Sequence, residues 1–225
     1  MTEKKPIIAI DGPAGSGKST VAKLVARKLN LFYIDTGAMY RALALKSIRA
    51  GIDPNNEESL ASLALQTEIS LNYDTKTGRL VVLLDKEDVS EEIRRPFITE
   101  IVSYIAKIKK VREIMVALQR KMAEGKKSIL EGRDIATVVF PDAYKKFFLD
   151  AAPEERVKRR YLELREKKLP IEESKVKNDI ENRDKIDSTR EIAPLRRSPD
   201  AIYIDTTNLT IDQVVERVIK ESQDQ

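Results

Sequence analysis

Residues 6–29 read PIIAIDGPAGSGKSTVAKLVARKL, and the order of residue types in this stretch decides the fold. Ile7, Ile8, Ala9 and Ile10 form a continuous apolar run, the pattern of a short strand covered on both faces of a parallel sheet. Val21, Leu24, Val25 and Leu29 then recur at helical spacing. Between them, Gly12 to Ser19 spells GPAGSGKS and matches G-x-x-x-x-G-K-[ST]. A glycine-rich turn with no ligand is the plain alternative. A place between strand and helix instead fits a phosphate loop, in which backbone N–H groups and the helix N-terminus surround an anion. The expected ATP-binding stretch is Gly12, Pro13, Ala14, Gly15, Ser16, Gly17, Lys18, Ser19 and Thr20. The glycines let the backbone approach oxygen atoms, Lys18 brings a charge to the β and γ phosphates, and the Ser19 hydroxyl ligates Mg²⁺. Thr20 closes the stretch as a helix residue.

Further along the chain, four short apolar runs at 31–35, 128–131, 145–150 and 201–205 are separated mostly by helical patterns. Such alternation predicts an α/β fold with a central parallel sheet of about five strands flanked by helices. Val111, Ile114, Met115, Leu118 and Met122 mark one of these helices, closed by Gly125 as a C-cap. Ile211, Val214, Val215, Val218 and Ile219 mark another, expected to pack back on the sheet. Residues 36–127 are far too many for a parallel crossover, which needs about a dozen or more, so the excess is read as an inserted lobe. Inside it Ile69, Leu71 and Tyr73 alternate, DTKTG turns the chain, and residues 79–84 return as the second strand of a hairpin. The charged stretch 153–169, PEERVKRRYLELREKKL, is a second candidate for mobility.

The 225 residues suit one α/β domain carrying an insert rather than two independent domains. Lys and Arg number 41 against 37 Asp and Glu, and the net charge of +4 favours anionic ligands without demanding nucleic acid. The sequence contains neither Cys nor His, which excludes disulfides, thiolate nucleophiles, Cys or His metal sites and imidazole acid-base chemistry. The apolar run at the start breaks at Asp11, too early for a signal peptide, and no stretch approaches the roughly 20 apolar residues of a membrane span. A soluble, cytoplasmic protein with no membrane partner is expected.

Phosphate loops serve GTPases, ATPases and small-molecule kinases alike, and no N-K-x-D for guanine selection is present. DTGAMYR (35–41) and EGRD (131–134) end the second and third strands, at the edge where open α/β sheets bind ligands. Each edge carries an arginine, Arg41 and Arg133, whose planar guanidinium matches phosphate in a two-pronged way. Arg112 falls in the first turn of a helix, where the dipole disfavours a cation unless an anion is near; an ordinary exposed arginine is the alternative. Arg183, Asp187 and Arg190 fall at i, i+4 and i+7 on one helical face, either a site or a surface ion-pair ladder, with Pro194 stopping the helix soon after.

With these residues in view, the chain resembles the bacterial cytidylate kinases, a family of nucleoside monophosphate kinases. The likeness runs through IDGPAGSGKST, DTGAMYRA, EDVSEEIR, VRE, EGRDIATVVFPDA, FFLDA with EERVKRR, and NRDKIDSTREIAPL. It implies a P-loop NTPase fold in a single kinase domain, with core 1–37, 107–152 and 171–225, a monophosphate-binding insert at 38–106 and a helical lid at 153–170. The implied activity is ATP-dependent phosphorylation of CMP and dCMP by a monomer, with Mg²⁺ as cofactor and no nucleic-acid partner. Implied CMP contacts are Thr36, Arg41, Ser103, Arg112, Arg133, Asp134, Arg183, Asp187 and Arg190. Implied catalytic residues are Lys18, Arg133, Arg159 and Arg190, with Arg156 and Arg160 as further lid arginines. Thr36 stands where serine often follows the aspartate, keeping the hydroxyl and adding a methyl.

The chemistry agrees with the composition. A phosphate monoester with a second pKa of about 6 is mostly dianionic at pH 7, so the acceptor needs no general base and no histidine. Asp134 or Asp187 could accept from the cytosine N4 amino group while an arginine donates to N3 or O2. Glu131, Asp134 and Asp150 are candidates for holding waters of Mg²⁺. The alternatives are a P-loop kinase of another small metabolite such as shikimate, and an ATP-regulated binding module for an anionic partner such as RNA. At 5% aromatic residues, the chain offers no stacking platform for RNA.

Overall fold

In the computed structural model, which describes residues 5–166 and 172–223, the first apolar run forms strand β1 (Lys5–Asp11). Ile7 to Ile10 are buried because strands lie on both sides and helices cover both faces. After the glycine-rich loop comes α1 (Lys18–Leu29), which ends where Asn30 turns left-handed and donates its N–H to the Ala26 carbonyl. Strand β2 (Phe32–Asp35) runs straight into α2 (Thr36–Arg49), whose first turn is capped by the Asp35 carboxylate accepting from the Ala38 N–H at 2.7 Å.

The chain then leaves the sheet through α3 (Glu57–Leu65), the antiparallel pair β3 (Ile69–Tyr73) and β4 (Leu80–Leu84), and the two-residue β5 (Glu87–Asp88). Ile69, Leu71, Leu80, Val82 and Leu84 are the buried positions of the hairpin, in the alternation expected of a strand with one wet face. Its outer strand is stapled to the first helix, since the Tyr73 hydroxyl donates to the Lys23 carbonyl at 2.8 Å. A short 3₁₀ turn (Glu92–Arg94) and α4 (Pro96–Ala106) lead to α5 (Lys109–Ala123). Gly125, just beyond α5, has the positive φ of a helix terminator, 70°.

The remaining elements are β6 (Ser128–Gly132), β7 (Ala143–Asp150), α6 (Pro153–Glu166), α7 (Glu173–Thr189), β8 (Ile202–Asp205) and α8 (Ile211–Gln223). The expected lid begins on α6; its residues 167–170 lie outside the described residues. Five strands pair in parallel in the order β2-β6-β1-β7-β8, the sheet predicted from the alternation of runs. In register, Asp35 stands beside Glu131, Gly132 beside Asp11, and Asp11 beside Phe148. All the motif-bearing strand ends therefore meet along one edge.

Apart from the main core, a small apolar cluster of Ala14, Val157, Leu164, Val176 and Ile180, with Tyr161 against it, joins the glycine-rich loop to α6 and α7. The loop itself is fitted closely to the strand next to it. Gly12 has φ 151°, and a Cβ there would lie 1.9 Å from the Leu149 carbonyl oxygen, a backbone atom that cannot step aside. Gly12→Ala is expected to cost about 3 kcal/mol. Gly51→Ala, with φ 65° and nothing within 4 Å, should cost about 1 kcal/mol. Urea unfolding midpoints of the two variants check this difference.

Candidate active site

A cleft of about 810 Å³ opens along the carboxyl edge of the sheet, walled by the glycine-rich loop, α2, α4, α6, α7 and the segment after β8. On its floor, Lys18 is buried and its ammonium donates to the Pro13 carbonyl at 2.6 Å and to Ser16 Oγ at 3.2 Å. Burial lowers its pKa to about 7, the Arg133 and Arg183 guanidinium groups push the same way, and Glu131 and Asp11 oppose them. Ser19 and Thr20 are exposed to the cleft in the first turn of α1. Asp11 accepts the backbone N–H groups of Ile135 and Ala136 at 2.9 and 2.8 Å, fixing the turn after β6. Burial raises its pKa to about 7, although the two N–H groups favour the ionised form.

The predicted arginines converge on the far wall. Arg41 lies 3.4 Å from Asp35, and Arg133 Nε donates to Asp187 Oδ2 at 2.9 Å. Arg112 is 3% exposed, which removes the reading of it as a surface residue. It pairs with Asp134, donates to the Ala106 carbonyl at 2.9 Å and lies over the Tyr40 ring. Arg190 is not on the helical face expected for it: α7 ends at Thr189 and Arg190 is its C-cap. The chain turns back there, with Ala193 at φ 51° and the Leu195 N–H on the Asp187 carbonyl, before Pro194 can act as the stop. Arg190 still reaches Asp187 at 3.5 Å and Asp134 at 3.9 Å.

Five guanidinium groups, Arg41, Arg112, Arg133, Arg183 and Arg190, thus share three carboxylates, Asp35, Asp134 and Asp187. Arg183 carries the imbalance most plainly. Burial lowers its pKa to about 10, helped by Arg133, Arg41 and Arg160 and opposed by Asp187. Nε atoms of Arg41, Arg112 and Arg183, an Nη of Arg190 and the Tyr40 hydroxyl are buried without a hydrogen-bond partner. Buried donors of one sign with no acceptor call for an anionic, acceptor-rich ligand.

Thr36 Oγ donates to the Glu131 carbonyl at 2.7 Å, leaving its oxygen as an acceptor, and Ser103 is buried on α4 beside the cleft. Glu131 itself accepts from the Tyr33 hydroxyl at 3.0 Å. Of the arginines in the expected lid, Arg159 and Arg160 line the cleft. Arg159 is bound to Glu155 and to the carbonyl of Thr206, whose hydroxyl reaches the Ser16 carbonyl, while Arg160 pairs with Glu163. Arg156 does not line the cleft; it is tied to the backbone of Ala151 and Ala14 and to Asp184. Ala14, expected to contact phosphate, has its N–H on Asp184 and its carbonyl on Arg156. Asp150 does not line the cleft and caps the Ala151 N–H.

Sequence reasoning missed Tyr40, Arg94 and Asp184. Tyr40 and Arg94 lie inside the motifs DTGAMYR and EDVSEEIR and line the cleft, so position within the motif was the signal. Asp184 follows Arg183 directly but points off the face defined by i, i+4 and i+7.

A model of the cytidylate kinase family matches residues 8–224. The chain is 53% identical over 211 residues to a cytidylate kinase of Caldanaerobacter subterraneus subsp. tengcongensis, covering 94% of this chain and 92% of that one. It is 51% identical over 215 residues to a cytidylate kinase of Clostridioides difficile, covering 96% and 97%. Among solved structures, an uncharacterized protein from Eubacterium ventriosum matches with a TM-score of 0.51 at 15% identity over 96% of this chain and 97% of that one, a likeness of fold alone.

Asp187 is the carboxylate on which the arginines depend. Burial pushes its pKa up, but Arg133, Arg183 and Arg190 hold it below the ordinary value of 3.8. Because the folded pKa is the lower one, this stabilisation is complete above 3.8 and is lost as pH falls below it. Asp187→Asn is expected to lower stability by about 3 kcal/mol at pH 7, since it leaves buried cations unpaired. Urea titrations should find wild type and variant converging only in acid.

Proposed function

The chain belongs to the cytidylate kinase family, and from that membership and the geometry of the cleft we propose that it transfers the γ-phosphoryl group of ATP to CMP, and to dCMP, releasing ADP and the pyrimidine diphosphate. The observation that carries this reading is the excess of guanidinium groups facing the glycine-rich loop. One anion on the loop and a second among the arginines would neutralise both ends of the cleft.

In this reading the loop amides, Lys18 and the N-terminus of α1 hold the ATP phosphates, and Lys18 leaves the Pro13 carbonyl for them. A phosphate beside Lys18 restores the proton that burial loosens. Arg41, Arg133, Arg183 and Arg190 hold the acceptor phosphate and ribose with Asp187, and keep the attacking oxygen in line with the donor. CMP brings its own nucleophile, an ionised phosphate oxygen, so no residue has to remove a proton. Arg159, beside Ser16 and Thr206, serves the donor phosphates. Arg160, whose charge Arg183 feels, faces the acceptor side. Charge that spreads over the moving phosphoryl group then meets fixed cations in place of water.

Mg²⁺ fits the donor set. Ser19 offers a hydroxyl and Glu131 a carboxylate along the same cleft, and no cluster of three or more acidic side chains encloses a metal among the described residues. This suits an ion held mostly by phosphate oxygens and water. When bound it neutralises phosphate charge. Residues 38–106 and 153–170 are proposed as the acceptor-binding insert and lid that shut out water, in a protein proposed to act as a monomer.

Base choice follows from the pair Arg112 and Asp134. Side by side they present a donor to cytosine N3 or O2 and an acceptor to its N4 amino group, with Ser103 nearby. Uracil would set its O4 against the Asp134 carboxylate. Asp134→Asn is expected to cut the preference for CMP over UMP at least tenfold, about 1.4 kcal/mol. Lys18→Ala should lower kcat by about 10²–10³ while the melting temperature stays the same or rises, because a buried cation among other cations is removed. An ADP-release assay with ATP across CMP, dCMP, UMP, AMP, GMP and shikimate tests the whole reading. Turnover confined to AMP or shikimate would overturn it.

A further inference from the structure

Ala14 is bracketed. Its N–H donates to Asp184 Oδ1 at 3.2 Å and its carbonyl accepts from Arg156 Nη1 at 3.0 Å. Asp184 and Arg156 are themselves paired through Asp184 Oδ2, so two side chains and one backbone residue close a ring. The ring joins three elements: Asp184 sits on α7, Arg156 in the first turn of α6, and Ala14 in the glycine-rich loop. Arg156 Nε also donates to the Ala151 carbonyl at 3.0 Å, which fixes the side chain to the end of β7.

Two independent features tighten the same joint. A Cβ on Gly15 would lie 2.8 Å from the Arg156 carbonyl oxygen, so loop and helix touch backbone to backbone. Around the ring lies the apolar cluster of Ala14, Val157, Leu164, Val176 and Ile180. Neither Asp184 nor Arg156 lines the cleft. Asp184 is nevertheless flanked on α7 by Arg183 and, three residues on, by Asp187.

We propose that Asp184, with Arg156, is a positioning residue for phosphoryl transfer: by bracketing Ala14 it sets the spacing between the loop that holds the donor and the helix that holds the acceptor. The inference rests on the function proposed above for its kinetic consequence, but the tie itself does not. The two bonds fall on the peptide groups either side of the Ala14 Cα, so one ion pair resists both translation and rotation of that residue. Loss of the tie leaves each nucleotide with its own contacts and disturbs only their mutual alignment, a geometric term to which in-line transfer is sensitive. The root of α6, from which Arg159 and Arg160 reach the cleft, is held by the same pair.

The test uses Asp184→Asn and Arg156→Lys in the full chain. Asn keeps the shape of Asp184 but loses its charge and one of its two acceptors, so it cannot serve both Ala14 and Arg156; Lys keeps the charge of Arg156 but lacks the Nε–H that holds the side chain on the Ala151 carbonyl. Both variants are expected to lose about 100-fold in kcat with CMP while KM for ATP and for CMP stays within twofold. The double variant should be no worse than the weaker single one, since the two residues act as one unit. In ligand-free protein, exchange of the Ala14 amide hydrogen read by NMR should speed up at least tenfold in Asp184→Asn, with distant core amides unchanged. Unaltered Ala14 protection, an unchanged kcat, or a rise in both KM values that accounts for the lost activity would overturn the proposal. Should Asp184→Asn not fold, Arg156→Lys carries the same readouts. Wild-type protein that makes no CDP would defeat the proposed function, while the exchange result would still judge the tie.

Discussion

A sheet in which every strand points the same way must deliver all its carboxyl ends to one edge, and each functional feature of this molecule depends on that constraint. The register sets Asp35 beside Glu131 and Asp11 between Gly132 and Phe148, so the segments that follow them have to share one space. They carry the glycine-rich loop, the DTGAMYR helix and the EGRD turn. Asp11 then ties two of these together through the Ile135 and Ala136 amides. The cleft is a consequence of strand direction before it is a consequence of any particular side chain.

Into that space the fold brings more positive charge than it neutralises. Burial and neighbouring cations lower the pKa values of Lys18 and Arg183 together, and Asp187 is held ionised by the same neighbours. Groups arranged this way carry an unfavourable self-energy that an incoming phosphate relieves. Organisation for binding anions therefore weakens the fold locally, and the close-packed sheet and apolar clusters hold the cations in place.

Much of this was legible in the sequence because it is local or periodic. The run at Ile7 to Ile10 and the glycine spacing gave strand, loop and helix directly, and the alternation of Ile69, Leu71 and Tyr73 gave the hairpin. The meeting of Arg41 and Arg133 followed from parallel strands alone. What could not be read depended on distant residues finding one another. The Ala14 bonds to Arg156 and Asp184 span 142 and 170 residues, and no spacing rule connects them. Helical periodicity names a face but not what lies against it, so Arg112 and Arg183 stayed open between surface and site. The two-residue β5 has too little pattern to notice, and the early end of α7 depends on a backbone turn at Ala193 that leaves no compositional mark.

The bond from the Tyr73 hydroxyl to the Lys23 carbonyl bears on how such a cleft can shut. It fastens the hairpin to the helix that begins at the glycine-rich loop, so that side of the mouth behaves as the fixed jaw of a vice. Narrowing that preserves the bond has to come from elsewhere around the mouth, such as α6, which carries exposed Leu162 on the cleft. Grip on a nucleotide would then be a one-sided movement against a stationary anvil.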